Sequence, residues 1–109
     1  MPRYCFALDL KDDEALISDY EAYHKNVWPE VLESIKKSGI TAMEIYRAGN
    51  RLFMIMETTD AFSFERKKEM DTANQKVQEW ETLMLQFQQQ LPFAGTGEKW
   101  VMMKNVFSL

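Results

Sequence analysis

A stretch that must form a helix and then must break it sets the frame for this chain. Residues Asp19 to Glu30 read DYEAYHKNVWPE. The residue before a proline is steered out of helical geometry, so a helix over residues 13–26 has to turn a corner at Trp28-Pro29. Pro29 suits the first turn of a second helix, with Glu30 just behind it. In the first helix, Tyr20 and His24 stand at i and i+4 and share one face. Leu16, Ile17, Tyr23 and Val27 fall on the same side, so the imidazole is turned inward. His24 is the only histidine in the chain. A titratable ring at the edge of an apolar face is where a general acid or base would stand, although a lone histidine there is more often a satisfied core or rim residue.

The rest of the chain falls into short elements around this corner. Tyr4 to Leu10 (YCFALDL) reads as a strand, and Asp12 or Asp13 caps the helix that follows. Val31, Leu32 and Ile35 form the buried stripe of the second helix, Lys36 and Lys37 complement its C-terminal dipole, and Gly39 stops it. Ile40–Arg47 and Arg51–Thr58 flank Ala48-Gly49-Asn50 as a hairpin. Asp60 caps a helical segment through Phe62 and Phe64, whose charged run Glu65 to Glu69 reads as a solvated face. Val77, Trp80, Met84, Phe87 and Leu91 recur at steps of three and four, the stripe of an amphipathic helix over 74–90. Gly95 and Gly97 serve a turn, and Trp100 to Phe107 reads as a final strand. Met54, Met56, Met102 and Met103 are adaptable core filler.

The order β, α with its broken extension, β, β, α, β is the split βαβ pattern of a ferredoxin-like α+β domain, with helices on one face of an antiparallel sheet. The 109 residues suffice for one domain with a core, spanning 1–109. The opposite sheet face needs cover, which points to face-to-face dimerisation into a homodimer.

Charge and composition narrow the function classes. Thirteen Lys and Arg against seventeen Asp and Glu leave a net charge of −4, which offers no footprint for nucleic acid or an anionic membrane. An uncharged small molecule is the better partner. Cys5 is alone, so neither a disulfide framework nor a thiolate metal cluster is expected; it reads as a small hydrophobe in the first strand. No signal-peptide pattern and no apolar run of membrane-spanning length is visible, and the cytoplasm is the default location. Phosphate-cradling and dinucleotide glycine motifs are absent, and one His and one Cys far apart give no metal set. Trp80 reads as core packing or as an aromatic platform for a sugar face. Glu81, beside it, is a rim charge or a carboxylate pointing into a cleft. Trp28 locks the corner that holds His24.

With these residues in view, Tyr20-x-x-x-His24-x-x-x-Trp28-Pro29-Glu30 resembles the signature of the L-rhamnose mutarotase family. The resemblance continues through Gly39, Ile45-Tyr46, a third strand ending in Glu57, Trp80, and the Asn105-Val106-Phe107 tail, covering essentially the whole chain. It implies a cofactor-free enzyme on a dimeric α+β barrel that interconverts the α and β anomers of a 6-deoxy-L-hexose. It further implies His24 as proton donor, with Tyr20 and Trp80 as substrate contacts. Two positions depart from the family pattern: a substrate tyrosine is replaced by Met43, and the second residue of a tryptophan pair by Glu81. Both touch the pocket, which brings L-fucose forward beside L-rhamnose as substrate. Mutarotation needs proton transfer and positioning, without metal, nucleophile or redox cofactor. A second group must complete the proton relay: Glu81, a tyrosine hydroxyl or water. Two other functions compete, a cofactor-free oxygenase on the same barrel and a non-catalytic sugar-binding module.

Overall fold

Local signals place most of the elements where the sequence puts them. In the computed structural model, which describes residues 2–109, β1 spans Arg3–Leu10 and α1 Glu14–Lys25. Asp13 caps α1 by accepting from the Leu16 amide at 3.0 Å. Trp28 precedes α2 (Pro29–Lys37) in extended backbone, φ −56° and ψ 134°, as a residue before proline must. Gly39 follows α2 at φ +102°. A Cβ there would meet the Thr59 hydroxyl at 3.1 Å, so position and conformation both call for glycine.

β2 (Ile40–Ala48) and β3 (Arg51–Thr58) form the hairpin. Gly49 turns it at φ +59°, a positive φ at the first loop position. Asn50 ties this turn to the end of β1, donating to the Leu10 carbonyl at 3.0 Å. α3 (Phe64–Ala73) and α4 (Gln75–Leu85) follow, then β4 (Gln88–Gln89) and β5 (Val101–Met102). The sheet order is β2-β3-β1-β4, with β5 also on β1 and every pairing antiparallel. This is the ferredoxin-like order, with one modification. Its fourth strand is split: Gln88 and Gln89 pair Leu10 and Asp9, residues 90–100 leave the sheet, and Val101 and Met102 rejoin at Ala7 and Phe6.

Several expectations need correcting. The last helix ends at Leu85, five residues short of Gln90, because pairing with β1 captures the backbone from Gln88 onward. Phe87 and Leu91 are buried as the stripe required, yet they lie beyond the helix. The final strand is confined to Val101–Met102; past the Met103 amide, which donates to the Cys5 carbonyl at 2.7 Å, the chain has no ladder partner among the described residues. Ser63, not Asp60, caps α3, accepting from the Arg66 amide. Leu32 is exposed; the inward face of α2 is Val31, Ser34 and Ile35, the i, i+3, i+4 set. Met54 and Met56 are core, whereas Met102 and Met103 are exposed.

The helices cover one sheet face. Leu10, Leu52, Tyr20, Val31, Trp80, Met84 and Phe87 make the main core, and Phe6, Ile40, Met54 and Met56 a second cluster beside it. Side chains alternating to the other face, among them Cys5, Ala7, Phe53, Ile55 and Tyr46, stand half-buried or exposed. None of the helices is long and apolar enough to cross a membrane, among the described residues.

Candidate active site

The last two turns of α1 aim Tyr20 and His24 into the space between the helices and the sheet. Tyr20 is buried and His24 half-buried. The His24 Nδ1 lies 2.9 Å from the Tyr20 backbone carbonyl oxygen. A carbonyl only accepts, so Nδ1 carries a hydrogen whether the ring is neutral or charged. Nε2 is therefore the nitrogen free to exchange a proton. The Tyr20 ring lies against the imidazole, with centroids 4.2 Å apart.

α4 supplies the other wall. Trp80 meets His24 edge to face at 5.6 Å, and Trp28 meets Trp80 in the same way at 5.2 Å. The corner thus locks the site as its sequence suggested. Trp80 packs in the core and also lines the open space.

The space is a cavity of about 740 Å³. Tyr20, His24, Met43, Trp80 and Glu81, drawn from three separate elements, all line it. Much of the remaining wall is apolar: Phe6, Ile40, Ile45, Met54, Met56 and Val77. Such a cavity accepts the hydrocarbon faces of a small molecule and leaves its polar atoms to a few placed groups. Glu81 is half-buried and takes part in no ion pair among the described residues. Among the described residues no three His, Cys, Asp or Glu side chains converge as metal ligands would.

Burial sets the role of Tyr20. It pushes the phenol up from 10.0 to about 12, against a smaller opposing effect of a hydrogen bond with the Gln88 side chain. The hydroxyl therefore stays protonated at any physiological pH and has a hydrogen to donate. Stability follows from the same shift. The unfolded phenol ionises from about pH 10 and the folded one only near 12, so the contribution is complete below pH 10 and is lost as pH rises to 12. At about 1.4 kcal/mol per pH unit, the loss is roughly 2–3 kcal/mol. Melting temperature followed from pH 9 to 12 is expected to fall less steeply in Tyr20→Phe than in the parent. Equal slopes would show that Tyr20 ionises as freely folded as unfolded.

Sequence reasoning missed part of the lining. Gln88, placed within a helix by its spacing, reaches the cavity from β4; its Oε1 is buried with no hydrogen-bond partner among the described residues. Lys67, within the charged run Glu65 to Glu69 expected as a solvated face, pairs with Asp71 beyond it at 2.5 Å, and both line the cavity. Their i, i+4 spacing was the available signal. Lys99 and Trp100 return to the wall from the excursion that splits the fourth strand.

The family model for L-rhamnose mutarotase matches residues 3–109. The chain belongs to the L-rhamnose mutarotase family. With the family comes the reaction class: this is a sugar mutarotase, a carbohydrate isomerase, and neither the oxygenase nor the passive binding module. A protein named L-fucose mutarotase from Xanthomonas campestris pv. campestris is 42% identical over 111 aligned residues, covering 100% of this chain and 89% of the relative. A UPF0734 protein of Dictyostelium discoideum is 40% identical over 113 residues, covering 97% of this chain and 88% of its own. The crystal structure of an L-rhamnose mutarotase from Formosa agariphila superimposes with a TM-score of 0.73 at 20% identity, covering 100% of this chain and 99% of that one. It has the same fold.

Proposed function

We propose that this mutarotase interconverts the α and β anomers of L-fucose in preference to L-rhamnose, with His24 as general acid, Glu81 as its partner base, and Tyr20 and Trp80 as sugar contacts. One observation carries the roles: the His24 Nδ1 is held by the Tyr20 carbonyl, which leaves Nε2 as the free nitrogen of a residue that lines one cavity with Tyr20, Trp80 and Glu81. The name of the Xanthomonas campestris relative and the two departures at Met43 and Glu81 favour L-fucose.

The proton bookkeeping closes without a cofactor. Protonated His24 gives its Nε2 hydrogen to the ring oxygen as the bond from that oxygen to C1 breaks. Glu81 takes the proton of the anomeric hydroxyl, whose oxygen becomes the aldehyde carbonyl. The aldehyde turns about the C1–C2 bond, and the former ring oxygen attacks the other carbonyl face while neutral His24 takes its proton back. Glu81 returns its proton to the new anomeric oxygen. Tyr20, held protonated, donates to a sugar hydroxyl, and the Trp80 ring stacks on the sugar face.

The reading extends to the whole molecule. Residues 1–109 act as one mutarotase unit in the cytoplasm, and two copies close their uncovered sheet faces on each other as a homodimer. Half-buried Phe53 and Ile55 on that face are the support for the pairing.

Saturation-difference NMR on both sugars tests the assignment, since only the exchange rate between anomer signals is informative at equilibrium. Faster exchange is expected for L-fucose, with a smaller effect on L-rhamnose. A larger effect on L-rhamnose overturns the sugar preference. No acceleration of either overturns the activity toward both.

A further inference from the structure

We propose that Gln88 is a further sugar-contacting residue, whose side-chain amide binds one of the two hydroxyls that distinguish L-fucose from L-rhamnose. The inference rests on the sugar assignment above and deepens it. Direct pairing with Leu10 fixes the direction of the side chain. Cross-strand partners share a sheet face, and Leu10 is fully buried on the helix-covered side, so Gln88 points inward among apolar neighbours. There it lines the same cavity as His24, Tyr20 and Trp80.

Its amide is only partly used. It lies close enough to the Tyr20 hydroxyl to favour the phenol's charged form, while Oε1 is buried with no partner among the described residues. Buried polar atoms are almost always paired, so an unpaired one facing a cavity marks a place for a ligand atom. The two ends of the amide are near-equivalent in shape, so turning it over puts Nε2 in the unpartnered place instead. A sugar hydroxyl satisfies either arrangement, because it both donates and accepts. The two 6-deoxy sugars differ in configuration at C2 and C4 alone, and rigid hydrogen bonding in a dry site discriminates such hydroxyls far better than apolar contact does. Gln88 also meets the Tyr20 phenol, so the two side chains hold adjacent polar atoms of one ligand.

The test compares the parent with Gln88→Leu on L-fucose, L-rhamnose, and the 2-deoxy and 4-deoxy analogues of L-fucose. Anomer exchange is followed by NMR, and binding by quenching of tryptophan fluorescence. On L-fucose the variant is expected to lose roughly tenfold to a hundredfold in kcat/KM, the cost of an unmade buried hydrogen bond. The parent should lose as much on one deoxy analogue, and Gln88→Leu should not distinguish that analogue from L-fucose. The melting temperature of the sugar-free variant should be unchanged or higher, since the stranded polar atom is gone; a purely structural glutamine would leave it lower. Near-parental exchange and binding in Gln88→Leu, or an equal loss on every analogue, overturns the proposal. Weaker sugar binding by the variant in a protein that accelerates no exchange would retain Gln88 and overturn the mutarotase reading. A parent that neither binds nor turns over any of these sugars overturns both.

Discussion

Replacing His24 with Asn is expected to slow catalysed anomer exchange by roughly 10²–10⁴-fold, the usual weight of a lost general acid. The geometry makes Asn the informative choice. Its amide nitrogen can stand where Nδ1 stands, retaining donation to the Tyr20 carbonyl, while the atom corresponding to Nε2 disappears. Folding should be little changed, because His24 is half-buried and contributes neither a large volume nor an ion pair. Circular dichroism and the melting temperature check the fold, and NMR exchange checks the chemistry. Parental exchange in a folded His24→Asn protein would remove His24 from the mechanism. A loss in kcat with KM nearly constant would place its effect in the transition state, as proton transfer to the ring oxygen requires.

The largest stability effect is expected at Trp80. Its ring is 8% exposed and is contacted by Trp28, His24 and Tyr23. Truncation to Ala removes the hub of that aromatic cluster and leaves a void, costing about 3–5 kcal/mol. That is a large share of the ~5–15 kcal/mol that holds a typical domain together. In urea the midpoint should fall by roughly 1–3 M. Trp80→Phe separates packing from function, since it keeps an aromatic in the cluster while giving up the wider indole face. Its stability should fall by much less than that of the Ala variant, whereas sugar affinity should fall measurably. A midpoint shift below about 0.5 M urea for Trp80→Ala would mean the cluster closes over the gap.

What could be read from residues alone was whatever a local signal dictates. The Asp13 cap, the Trp28-Pro29 corner, and the glycines at 39 and 49 each act within a few residues, and each stands where expected. Tyr20 and His24 were legible as a pair because both sit on one uninterrupted helix. The end of α4 was not legible. Gln88, Gln89 and Gln90 are good helix formers, and Phe87 and Leu91 continue the helical spacing, so propensity and periodicity agreed on an answer that strand pairing overrode. A two-residue strand is too short to show alternation. The same misreading hid Gln88, because whether it faces core or solvent depends on its register with Leu10, a partner 78 positions away. Asp71 and Lys67 were hidden differently, as a pair that looks solvated until the fold brings a cavity beside it.

The split fourth strand also has a consequence for the life of the chain on the ribosome. β1 is made before the rest of its sheet, and β3 can cover one of its edges once the hairpin has emerged. The other edge waits for residues 88–102. At 5–20 residues per second, translation leaves that hydrogen-bonding row incompletely covered for about 5–18 s. During that interval it is a template for any neighbouring nascent chain. Since the late partner consists of two short pieces rather than one continuous strand, each holds the edge weakly alone. Closing it is a joint event of both pieces, so shortening the segment between them would change how reliably newborn molecules reach the native state, even if the finished molecule were unaltered.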